Sequence, residues 1–72
     1  MNDNREAKRL LMSADNVADA LGVSVRHIWN MNAGGRLPEP VKFGRSVRWR
    51  SDEIRQWVSS GCPPRHKWVY ES

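Results

Sequence analysis

A chain of 72 residues with a net charge of +4 and 28% charged side chains makes one small domain with a modest core. It has no apolar run long enough to cross a membrane and no secretory signal at its start. Its one cysteine, Cys62, cannot close an internal disulfide. Membrane-spanning and disulfide-stapled secreted classes are thereby excluded, and a reducing cytoplasm is the expected setting.

The positive charge is unevenly placed. Residues 13–23 hold Asp15 and Asp19 and no cation, a balance of −2. Residues 24–50 hold Arg26, Arg36, Lys42, Arg45, Arg48 and Arg50 against Glu39, a balance of +5. Arg55 against Asp52 and Glu53 returns residues 51–60 to −1. A polyanion is the natural partner of the middle segment.

Residues 1–9 are polar, of mixed charge and without an apolar period, which predicts a mobile arm; its Arg5, Lys8 and Arg9 are open to phosphate or simply solvated. Leu10-Leu11-Met12 is either a brief strand or a hydrophobic staple against the element that follows. Ser13 is placed to cap a first helix with Asp15 in its first turn, and Val17, Ala18 and Leu21 share an apolar face. Gly22 then stands where helices commonly end in a left-handed residue. Ser24 caps a second helix with Val25, Ile28 and Met31 inward and Arg26, His27, Asn30 and Asn32 outward. A connection this short forces a steep crossing, which predicts a helix-turn-helix.

Gly34-Gly35 ends the helical pattern, and Leu37-Pro38-Glu39-Pro40 holds the chain extended. Val41 and Phe43, then Val47 and Trp49, alternate with polar residues about a bend at Gly44-Arg45-Ser46. The pattern predicts a hairpin with one apolar and one cationic face, the latter carrying Lys42, Arg45 and Arg48 without nearby acids. Ser51-Asp52-Glu53 opens a third helix with a cap and two acids, and Ile54, Trp57 and Val58 face the core. Gly61 and Pro63-Pro64 stop it. The domain is thus expected over 10–61, with a tail over 62–72 in which Trp68-Val69-Tyr70 dangles, folds back or docks on a neighbour.

The expected fold class is α+β, a small winged helix-turn-helix of three helices and a two-stranded hairpin wing. The ordered set of helix-turn-helix, Gly-Arg-Leu-Pro, Val-Lys-Phe-Gly, Val-Arg-Trp-Arg and Ser-Asp-Glu-Ile-Arg-Gln-Trp resembles the small winged helix-turn-helix proteins of the AlpA and phage excisionase type, related in fold to the DNA-binding heads of MerR-type regulators. The resemblance covers roughly residues 10–60. It implies double-stranded DNA binding through a recognition helix over 24–32, with Ser24, Val25, Arg26, His27 and Asn30 facing the groove. It implies a wing over 42–48 with Lys42, Arg45 and Arg48, and a cellular place on the nucleoid of a bacterial or phage-infected cell. Members of this family either regulate transcription or act as recombination directionality factors that bend attachment-site DNA and steer an integrase towards excision. This chain departs from many relatives in having Asn30 and Asn32 where they carry further cations.

By residue type, Arg26 suits a guanine edge and Asn30 an adenine edge, while His27 suits a phosphate or a base edge. Arg45 suits a narrow minor groove, and Lys42, Arg48 and Arg36 suit phosphates. Trp49 and Trp57 belong to the core, and Trp29 is expected to pack against the wing. His27, Cys62 and His66 lack metal-site spacing, and the Asp15/Asp19 pair reads as a solvated acidic face. No enzyme, metal, cofactor or small-molecule substrate is therefore expected. The length leaves no room for an effector domain, so action through DNA geometry, an integrase or further copies on DNA is expected. From a different class, the rival reading is a protein-binding adapter that uses the Trp68-Val69-Tyr70 tail.

Overall fold

The computed structural model describes residues 9–71. The arm expected over 1–9, with Arg5 and Lys8, lies outside them except for Arg9, whose Nη1 donates to Asn16 Oδ1 at 3.1 Å. The elements run β1 (Leu11–Met12), α1 (Ala14–Leu21), α2 (Val25–Ala33), β2 (Val41–Phe43), β3 (Ser46–Arg50), α3 (Ser51–Ser59) and a 3-10 turn (Arg65–Lys67). Among the described residues, no helix is long and apolar enough to cross a membrane.

The fold is the expected α+β winged helix-turn-helix, with a third strand added to the hairpin. Of the two fates open to residues 10–12, the strand is realised: Leu11 pairs with Arg50 and Met12 with Trp49, giving an antiparallel sheet of order β1-β3-β2. Ser13 caps α1 reciprocally. Its Oγ accepts from Asn16 N at 3.2 Å, while Asn16 Oδ1 accepts from Ser13 N at 3.1 Å. Gly22 takes the left-handed conformation at φ 74°, and Val23 N bonds back to Ala18 O at 3.0 Å, turning the chain directly into Ser24. Gly22→Ala meets no neighbouring atom, so its cost is that left-handed backbone alone. A loss of about 1 kcal/mol is expected in chemical denaturation.

Ala14, Val17 and Ala18 of α1, Ile28 of α2, Trp49 of β3 and Ile54 and Trp57 of α3 form one buried cluster, with Leu21, Val25 and Met31 packed on it. Leu37 and Pro38, expected only to hold the connection extended, are buried as well. Pro38 O accepts from Trp49 Nε1 at 2.9 Å. The connection is therefore a core element, because a buried indole N–H needs an acceptor and this carbonyl supplies it.

The hairpin departs from expectation. Its loop has two residues, Gly44 and Arg45, with Phe43 opposite Ser46, Lys42 opposite Val47 and Val41 opposite Arg48. Gly44 at φ 63° occupies the first central position and Arg45 keeps a negative φ, the pattern of a type II′ turn. Opposed residues share a face, so Lys42 stands with Val47 and Trp49, while Val41 and Phe43 stand with Ser46 and Arg48. A three-residue bend would have aligned all the apolar residues. Shortening it by one exchanges the faces of β2 relative to β3, and Phe43 is left 65% exposed.

The third helix also differs at its start. Arg50 is the N-cap and β3 passes into α3 without a loop. Ser51 is therefore a first-turn residue, buried, with its Oγ unpartnered. Val58, expected to face the core, is 44% exposed; the buried positions of the helix are Ser51, Glu53, Ile54 and Trp57, and Ser51, nearly in line with Val58, is covered only at the helix start.

Of the three fates open to the tail, folding back is realised. Gly61 and Cys62 both hold positive φ, and Cys62 N bonds to Trp57 O at 2.9 Å. Pro63 O then accepts from Trp57 Nε1 at 2.8 Å. Arg65 N donates to Gly35 O at 2.9 Å, Arg65 Nε to Leu37 O at 2.8 Å, and Arg65 Nη2 to Asn32 Oδ1 at 2.8 Å and Asn32 O at 3.3 Å. Trp68 Nε1 donates to Glu53 Oε2 at 2.9 Å, and Arg50 Nη1 lies 3.5 Å from Glu53 Oε1. The buried carboxylate is thus met on both oxygens, as a charge removed from water requires.

Candidate nucleic-acid interface

The second helix presents an outward row because Ile28 fixes its rotation. With Ile28 fully buried and Val25 and Met31 packed on the core, Arg26, His27 and Asn30 fall on the solvent side. Among the described residues, none of these three side chains makes an intramolecular hydrogen bond or ion pair, so their donors and acceptors are all free. Ser24 is exposed at the N-terminus, where its Oγ accepts from His27 N at 3.1 Å. The hydroxyl hydrogen is left for an outside acceptor.

Asn32, expected to face outward with them, is partly buried, and both its oxygens accept from Arg65. The amide row of the helix therefore reduces to Asn30.

The hairpin approaches α2 at Trp29, and shares depressions with Val25 and Trp29 and with Asn32. Trp29 packs on the wing as expected, its ring centroid 5.8 Å from that of Trp49 at 54°. Two depressions flank this seam. In one, Arg45, Ser46 and Arg48 face Val25 and Trp29. In the other, Lys42 lies with Asn32, Glu39 and Arg65. The single cationic face expected for Lys42, Arg45 and Arg48 is thus not formed, because the two-residue loop sends Lys42 to the opposite side of the ribbon from Arg48.

Both depressions nevertheless border the recognition helix. Arg45 is exposed at the turn, and Arg48 is half-buried with one guanidinium nitrogen on Val47 O at 3.0 Å. Nor are these cations remote from acids: Asp15 lines the first depression and Glu39 the second. No ion pair closes among the described residues there. Arg36 is exposed in the loop after α2.

Sequence reasoning missed two residues at this surface. Phe43 was expected to turn inward; a Gly-first, two-residue loop was the signal that would have placed it outward. Arg65 bonds 28 and 33 residues away, and nothing local announces that.

Two helices joined by a three-residue turn, a free polar row on the second and a cationic hairpin beside it define a winged helix-turn-helix DNA-binding domain. The chain belongs to the helix-turn-helix domain family, whose model matches residues 11–62. That family includes small AlpA- and excisionase-like DNA-binding proteins and is typically non-enzymatic, and membership supports binding to double-stranded DNA. No curated protein matches the chain. Arg65 and Trp68 lie beyond the matched segment.

Proposed function

We propose that the protein is a sequence-specific duplex-DNA-binding factor of the excisionase type, which bends attachment-site DNA of a phage or mobile element and steers an integrase towards excision. The observation that carries its DNA contacts is the free row of Arg26, His27 and Asn30 on α2, set beside a hairpin with Arg45 at its turn. The helix enters the major groove. Arg26 forks onto a guanine and Asn30 onto an adenine, while Ser24 and His27 reach phosphate or base edges. Val25, half-buried in the seam with Trp29, offers its remaining surface to a thymine methyl.

Arg45 enters the adjacent minor groove, where negative potential concentrates, and Arg48, Lys42 and Arg36 meet phosphates on either side. One domain of this size reads only a few base pairs, so specificity comes from further copies alongside or from the integrase. The setting is the nucleoid of a bacterial or phage-infected cell. The ordered motif set from Gly-Arg-Leu-Pro to the Trp57 helix supports the excisionase assignment. Of the Trp68-Val69-Tyr70 tail on which the adapter alternative relies, Trp68 is engaged by Glu53, while Val69 stays exposed and Tyr70 half-buried.

Arg26→Ala is expected to cost about 1–3 kcal/mol on the preferred site and to flatten the preference among sites in mobility-shift titrations. Equal weakening on every sequence would show that α2 does not read bases. Circularly permuted probes test the bend, and an in vitro excision reaction with an integrase tests the role. A straight complex that changes promoter output instead would assign the protein to AlpA-like transcriptional regulation.

A further inference from the structure

Phe43 is the most exposed aromatic side chain among the described residues, at 65%. A free ring in water forfeits the burial that aromatic residues normally obtain. Its position narrows what covers it. It occupies the last rung of the β2–β3 ladder, opposite Ser46, next to the turn and between Lys42 and Arg45 in the chain. The register places it on the side of Ser46 and Arg48; these two line, with Arg45 and Val47, the depression that reaches Val25 and Trp29 of α2, and the ring itself projects outside that depression.

An apolar ring beside Arg45 at the turn and on the same face as Arg48 is matched by a polyanion whose interior is apolar and stacked. Duplex DNA has that chemistry: its phosphates meet the cations and its base pairs accept the ring. We propose that Phe43 is a wedge that enters the minor groove with Arg45 and partly unstacks one base step. This insertion produces the bend and adds a preference for easily unstacked pyrimidine–purine steps that no hydrogen bond reads. The proposal rests on the DNA-binding function above and adds the residue that couples the wing to DNA deformation.

The test uses the full chain and the duplex it enriches from a randomised library, with 2-aminopurine placed in turn at each step flanking the selected sequence. Wild-type protein should raise the fluorescence at one step within the hairpin's reach. Phe43→Leu should keep that rise, and Phe43→Ala should abolish it while losing about tenfold in affinity and most of the bend. Because the ring is exposed, Phe43→Ala should melt like the wild type, and a matching thermal transition keeps the comparison clean. Enrichment and Arg26-dependent discrimination with no fluorescent step, or an Ala variant that unstacks and bends as well as wild type, overturns the wedge and leaves DNA reading intact. Failure of the wild type to enrich any sequence or to bind duplex with salt dependence overturns both.

Discussion

Trp49→Ala is expected to abolish the cooperative fold at room temperature. The indole is 1% exposed at the junction of all layers. It lies opposite Met12 of β1, against Trp29 of α2 and beside the buried Leu37-Pro38 segment. Truncating such a ring costs about 3–5 kcal/mol through lost burial and the cavity left behind. It also strands Pro38 O, which accepts the indole N–H at 2.9 Å, for about 1 kcal/mol more. A domain of this size holds about 4–10 kcal/mol in total, so the loss is comparable with everything it has. Far-UV circular dichroism during heating reads the outcome. Trp49→Phe, which keeps most of the volume and loses the hydrogen bond, should melt cooperatively at an intermediate temperature. A melt of the alanine variant within a few degrees of wild type would remove Trp49 from the centre of the core.

Arg65→Ala has the second largest expected effect, and its interest is functional. One guanidinium ties the tail to Leu37 O and to both oxygens of Asn32 in the last turn of the recognition helix. Cations favour helix C-termini, where carbonyls lack partners. Charged hydrogen bonds of this kind contribute about 1.5–3 kcal/mol each, and shared geometry makes about 3 kcal/mol the expected total. Amide hydrogen exchange over residues 30–34 should accelerate. Affinity for the selected duplex should also fall more than affinity for random DNA, because a frayed helix end loosens Asn30 while leaving the general charge pattern nearly unchanged. Arg65→Lys should behave almost like alanine, since one ammonium cannot span Leu37 O and Asn32 together. Unaltered exchange in the alanine variant would show that the latch does not hold the helix.

The residues explain why some of this was legible in advance. Ser13, Gly22 and Ser24 act within four residues of themselves, so caps, turn and helix rotation followed from spacing, and with them the outward Arg26, His27 and Asn30. Trp49 and Trp57 were legible as core because each sits on the apolar phase of its element. The hairpin faces were not, since period-two patterns fix each strand separately and the loop length alone relates them. Ser51 was misplaced as a cap because the strand leads straight into the helix, which shifts the boundary by one residue. Arg65, Trp68 and Pro38 take part through contacts between segments distant in the chain. Composition carries no trace of such pairings.

The tight reversal at Gly44-Arg45 has a consequence for how this hairpin tolerates change in length. An odd insertion or deletion there transposes every side chain of one strand through the sheet. It would turn Phe43 inward and drive Lys42 out to the side of Arg48. Paired insertions merely lengthen the finger and preserve which residues it presents. Natural variation at this loop should therefore come in even steps, with odd ones tolerated only alongside a compensating bulge.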